Sequence, residues 1–166
     1  MNKIPIYSIV AFSGTGKTTL LEKLVAELKT RGLRVAVIKH DAHEFDIDHE
    51  GKDSWRFSRA GADVTAVISN SKAAMIENRP VNLETLLARI TDVDVILTEG
   101  YKSGTWPKIA IRRLETGKPL PIPAEECFAI VSDAHENSNA PHFGLDDVKG
   151  LADLIISSIV KHYSAG

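Results

Sequence analysis

Ser13-Gly14-Thr15-Gly16-Lys17-Thr18-Thr19 gathers glycines, hydroxyls and one ammonium group into a single short run. A phosphate-cradling loop has the pattern G-x-x-x-x-G-K-[ST] between a strand and a helix. Here the eight positions read Ala11-Phe12-Ser13-Gly14-Thr15-Gly16-Lys17-Thr18, and seven fit, with alanine replacing the first glycine. That position closes a strand, where φ stays negative and a methyl group is tolerated. Gly14 and Gly16 let the backbone turn so that its N–H groups converge on phosphate oxygens. Lys17 places a compact charge on the β- and γ-phosphates of a nucleoside triphosphate, the first catalytic candidate. Thr18 offers a hydroxyl to Mg²⁺. Thr19 serves the α-phosphate, and the helix that begins here points its positive end at the anion.

Such a loop needs an acid for the Mg²⁺ shell at the end of a neighbouring apolar strand. Val95-Ile96-Leu97-Thr98-Glu99-Gly100 meets that need, with Glu99 in place of the commoner aspartate. Between His40 and His49 lie three histidines and four acids, without the regular ligand spacing of a metal site. Asp41, directly after a predicted strand, is the second catalytic candidate, placed to orient water or a second substrate. Gly51-Lys52-Asp53-Ser54 opens a short helix with Asp53 or Ser54 as its cap, and the same start suits an anion.

The elements that must position these groups alternate in period. Ile6 to Phe12 reads as a buried strand, and Leu20, Leu21, Leu24, Val25 and Leu28 form one helical face ended by Gly32. Strands follow at Val35–Lys39, Val64–Ser69, Ala73–Ile76, Val93–Thr98, Lys108–Arg112 and Phe128–Val131, with the basic ends of 108–112 suiting a sheet edge. Short helices fall at Ser54–Ala60 and around Leu83 to Ile90. A final helix, capped by Asp146 or Asp147, buries Val148, Leu151, Leu154, Ile155 and Ile159. The expected fold is α/β: a three-layer P-loop NTPase with a mostly parallel central sheet and antiparallel edge strands.

With 166 residues, 43% hydrophobic and 25% charged, the chain matches one globular domain over 1–166. The net charge of −2 gives no reason to expect nucleic acid or an anionic membrane as partner. A lone cysteine, Cys127, and the absence of a long apolar run point to the cytoplasm.

The chain resembles the molybdopterin-guanine dinucleotide biosynthesis protein B family, the MobB proteins. The matching stretches are Phe12 to Leu20, Val37-Ile38-Lys39-His40, Phe45-Asp46-Ile47-Asp48 and Gly51-Lys52-Asp53-Ser54-Trp55. They continue through Ala60-Gly61-Ala62, Thr98-Glu99-Gly100-Tyr101-Lys102, Pro107-Lys108-Ile109, Ala129 to Asp133 and Val148 to Asp153. The resemblance implies a GTP-binding homodimer with weak GTPase activity. It would assist a separate guanylyltransferase that attaches GMP to molybdopterin. The preference for guanine rests on the family, since no Asn-Lys-x-Asp signature is present. Asp133 suits either a guanine contact or a turn. Lys102, Lys108, Arg112 and Arg113 suit a phosphorylated pterin or a solvated, dimer-forming edge strand. Two other functions use the same loop. One is a small-molecule kinase with Asp41 as base and the basic set as acceptor site, and the other is a metal-delivery GTPase using the histidine loop.

Overall fold

The computed structural model describes residues 4–40 and 45–164. It divides into two compact units, Met1–His40 with Asp92–Gly166, and Asp41–Thr91.

The first unit holds β1 (Ile6–Val10), α1 (Lys17–Thr30) and β2 (Val35–Lys39). The second contributes α2 (Asp53–Arg59), β3 (Val64–Ile68), β4 (Ala73–Glu77) and α3 (Leu83–Arg89). The chain returns to the first unit with β5 (Val95–Glu99), β6 (Lys108–Arg112), β7 (Cys127–Ser132), β8 (His142–Phe143) and α4 (Val148–Ser164). Six strands form one sheet in the order β2-β5-β1-β6-β7-β8, every neighbouring pair parallel. Antiparallel pairing, expected at the edges of that sheet, occurs instead in the separate two-stranded sheet β3–β4.

Continuous apolar runs make this sheet possible. Ile9, Val10, Val95, Leu97, Ile109, Ala110, Ala129 and Ile130 are all shut off from solvent, as parallel strands usually are. Helices α1 and α4 pack on one face through Leu20, Leu21, Leu24 and Leu28 and through Val148, Leu151, Ala152, Ile155 and Ile159. Each fully buried leucine contributes about 1.5–3 kcal/mol through removal of its side chain from water. Helix α1 stops where Gly32, at φ 83°, donates to Lys29 O, while Leu33 N–H donates to Leu28 O. This paired closure consumes two carbonyls that the helix would otherwise leave bare. Asp147 caps α4, its Oδ1 accepting from Gly150 N–H at 3.0 Å.

Strand β6 is not an edge. It lies between β1 and β7, and Ile109, Ala110 and Ile111 are buried. Its basic residues occupy only the two ends, where the strand leaves the sheet, so the charges imitate an edge pattern without being one. The edges of the sheet are β2 and the two-residue β8, which sequence periodicity does not reveal.

In the second unit, Thr65 is the one buried residue among those described. Asn82 caps α3 by accepting from Thr85 N–H at 2.8 Å. Helix α2 begins after Lys52 with no side-chain cap, so neither Asp53 nor Ser54 serves as the predicted N-cap.

Candidate functional site

Parallel strands with helical returns bring every β-to-α turn to one edge of the sheet. Strand β1 sits at the centre, between β5 and β6, so the loop that follows it emerges between the ends of both neighbours. In register, Ile9 faces Glu99 across β1–β5, and Val10 faces Ala110 across β1–β6. The phosphate-type loop, Glu99 and the chain leaving β6 are therefore neighbours because of strand order.

The loop takes the shape its glycines allow. Gly14 has φ 79° and Gly16 has φ 97°, while Ala11, buried at the strand end, keeps a negative φ. Gly16 precedes α1 without any side-chain cap, and Leu20 N–H is the first helical donor to find an acceptor, Gly16 O. Among the described residues, the N–H groups from Gly14 to Thr19 have no acceptor within the protein. A glycine loop and helix start with bare donors are suited to an anion.

Lys17 Nζ donates to Ala11 O and Phe12 O, both at 3.2 Å, so the ammonium bridges the mouth of the loop. Thr18 Oγ1 lies 3.4 Å from each carboxylate oxygen of Glu99. A hydroxyl and a carboxylate converging in this way form the hard oxygen set that Mg²⁺ prefers, and these residues fit that ion.

Further cations surround the loop. Lys102 Nζ stands 4.2 Å from the Phe12 ring centroid, and Lys118 Nζ donates to Ser13 O at 2.9 Å. The Arg113 guanidinium lies beside Gly16, where an added Cβ would sit 3.4 Å from Nη2. A chain with net charge −2 thus concentrates positive charge at one sheet edge. Arg113 and Lys118 escaped a local reading as loop partners because they lie far along the chain; only the placement of β6 beside β1 brings them in. After Glu99 the backbone turns left-handed twice, at Gly100 (φ 100°) and Tyr101 (φ 60°). Tyr101 stacks obliquely on His40, with ring centroids 4.7 Å apart, and burial pushes its phenol up from the usual value.

The other predicted residues are distributed more widely. Asp133 follows β7 at the same edge, exposed, with Oδ1 accepting from Leu114 N–H at 2.8 Å. One carboxylate oxygen is thus used in bracing the turn after β6. Gly51, Lys52, Asp53 and Ser54 form the start of α2 in the second unit. Asp41 and His43 lie outside the described residues. Among the described residues no group of three His, Cys, Asp or Glu side chains is placed to hold a metal ion. The basic set does not converge: Lys108 begins β6 at the far edge of the sheet, and Arg112 is tied to Glu136. Of that set, Lys102 and Arg113 stay beside the loop. Cys127 is half-buried, its thiol pushed up to about 11 by burial first and by Glu126 second, which suits an inert thiol. No described helix is long and apolar enough to cross a membrane.

A central parallel sheet with a glycine loop between its middle strand and α1 defines a P-loop α/β protein. The particular lineage follows from comparison. Residues 6–133 match the family model MobB, Molybdopterin guanine dinucleotide synthesis protein B, and the chain belongs to that family. It is 38% identical over 158 residues to the molybdopterin-guanine dinucleotide biosynthesis adapter protein of Haemophilus influenzae, covering 93% of this chain and 89% of the relative. The adapter protein of the same description from Escherichia coli is 37% identical, with 95% of each chain covered. The crystal structure of Bacillus subtilis MobB superposes with a TM-score of 0.74 at 31% identity, covering 92% of this chain and 96% of that one.

Proposed function

We propose that the chain binds GTP with Mg²⁺ at the loop after β1. It then acts as an adapter for a separate guanylyltransferase that attaches GMP to molybdopterin in the cytoplasm. The observation that carries this reading is the joint placement of bare loop amides, the Lys17 ammonium and the Thr18–Glu99 oxygen pair at one sheet edge. A triphosphate is the anion that needs all three. Lys17 supports the β- and γ-phosphates, the amides surround them, and Thr18 and Glu99 hold the metal side. When bound, Mg²⁺ would neutralise charge shared by the β- and γ-phosphates. Guanine as the base, and molybdopterin as the acceptor in the partner reaction, come from the family and from the names of the relatives.

Hydrolysis in this reading is slow. Lys17 draws charge toward the leaving phosphates, and Asp41 is the water-orienting candidate on sequence grounds. The active form is a homodimer. Among the described residues, strands β3 and β4 pair only with each other, and they expose Val67, Ile68 and Met75, an apolar surface suited to a second copy.

Single-turnover assays with GTP and ATP, with and without molybdopterin, test the proposal. It expects slow phosphate release from GTP, none carried to the pterin, and a higher yield of dinucleotide when the guanylyltransferase is added. Phosphate appearing on the pterin would replace the adapter with a kinase.

A further inference from the structure

Beside the phosphate loop lies a small recess lined by residues of the loop, of α1 and of the chain between β8 and α4, together with Arg113. Two polar atoms on its lining residues are buried without a partner: Thr15 Oγ1, on a residue only 3% exposed, and Arg113 Nε. Buried donors nearly always have acceptors, and the loss when one lacks a partner is large. Among the described residues, neither of these two atoms has a hydrogen-bond partner.

The surroundings say which sign that group carries. Arg113 Nη1 is anchored 3.1 Å from Glu115, which fixes the guanidinium while leaving Nε without an acceptor. Lys23 and Asp146, the other charged residues lining the recess, are paired to each other at 2.8 Å and cancel locally. Arg113 differs from that pair in that its guanidinium lines the recess, with Nη2 beside Gly16, while its partner Glu115 does not line it. Lys17 and Thr18 face the outer phosphates and the metal, so the phosphate nearest the nucleoside falls to the Thr19 end of the loop.

We infer that Arg113 is a second nucleotide-binding cation, donating from its guanidinium to the α-phosphate of the nucleotide held by the loop. The inference rests on the nucleotide reading above and deepens it. Lys17 serves the β- and γ-phosphates, of which the diphosphate lacks the second, whereas Arg113 grips the α-phosphate, which both nucleotides keep. A planar fork held on one side by Glu115 has little freedom to lose when it engages the anion. Arg113 thus gives affinity for the product diphosphate as well as for the triphosphate.

Fluorescent analogues of GTP and GDP, titrated at one salt concentration into the wild type, Arg113→Met, Arg113→Lys and Lys17→Ala, test the assignment. Arg113→Met keeps the apolar stem and removes the fork. It is expected to weaken both nucleotides by about tenfold or more, with their ratio unchanged. Arg113→Lys should restore part of both affinities. Lys17→Ala should instead weaken GTP more than GDP. Unfolding midpoints measured without nucleotide separate a binding loss from a folding loss. If Arg113→Met unfolds, the lysine variant decides: a parallel partial loss supports the inference, and full affinity overturns it. Wild-type binding with Arg113→Met unchanged, or weakened for GTP alone, also overturns it while leaving the nucleotide reading intact. Failure of the wild type to bind either nucleotide removes the nucleotide reading itself, and this inference with it.

Discussion

The two units of this chain are stabilised by different physics. Residues 4–40 and 92–164 enclose an apolar core in which Ile9, Leu24, Leu28, Leu97, Ile109 and Ile155 have no solvent contact. Residues 45–91 leave Val67 half-exposed, Met75 66% exposed and Ile68 84% exposed. What holds that second unit is polar. Glu77 receives both Arg79 and Arg89, Ser58 and Thr65 share a hydroxyl bond at 3.0 Å, and Asn78 Nδ2 donates to Ala62 O at 2.7 Å. A small unit with so little buried apolar area has little stability of its own. The contrast teaches a division of labour. The cored unit carries the glycine loop on a rigid sheet, and the other unit presents apolar surface.

The largest effect expected from this contrast is in the core. Leu24→Ala or Leu97→Ala should lower stability by about 2–5 kcal/mol in urea titrations, since the cavity cannot collapse. The matching substitution Ile68→Ala should change the stability of a monomer by less than about 0.5 kcal/mol. If Ile68→Ala costs as much as Leu24→Ala at a concentration where the protein is monomeric, the contrast is wrong. In sedimentation or light scattering, Ile68→Asp is expected to shift a dimer toward monomer, leaving the far-ultraviolet spectrum and GTP binding of the first unit unchanged.

A smaller effect lies within the sheet. Thr98 donates to Ser8 at 2.9 Å, and both residues are fully buried. Thr98→Val strands the Ser8 hydroxyl and should cost about 1–3 kcal/mol, whereas Ser8→Ala with Thr98→Val should recover most of that loss. A double variant worse than the single would show that the pair does more than satisfy itself.

How much of this was legible beforehand follows the same divide. Strands β2 and β6 have the bounds their apolar runs predict, and the glycine loop is legible in seven of eight consecutive positions. Local signals sufficed there because period and turn chemistry are local. The position of β6 in the sheet is not legible, because Lys108 and Arg112 cap an Ile-Ala-Ile run like an edge pattern and the residues alone do not say which strands flank it. Strand β8 is two residues long after a polar loop, too short for any period to register. Arg113 and Lys118 reach the loop across about a hundred residues of chain, a distance that only strand order closes.

The smallest effect is electrostatic. Hydrogen bonds from the Arg34 side chain and backbone hold the Asp94 carboxyl below its usual value. A group depressed in the folded state stabilises above its unfolded pKa, about 3.9, and loses that contribution as the pH falls through the folded value. The gap in melting temperature between wild type and Asp94→Asn should therefore be constant near neutrality and shrink below about pH 4. A gap that widens on acidification would contradict the assignment.

The central claim is that loop amides, Lys17 and the Thr18–Glu99 pair act together on a magnesium triphosphate. Calorimetric titration of GTP into the wild type, Lys17→Ala and Glu99→Gln, with and without Mg²⁺, addresses it most directly. The account predicts saturable wild-type binding that strengthens with Mg²⁺, no measurable binding by Lys17→Ala, and a Mg²⁺ enhancement lost in Glu99→Gln. Full affinity in Lys17→Ala would contradict it.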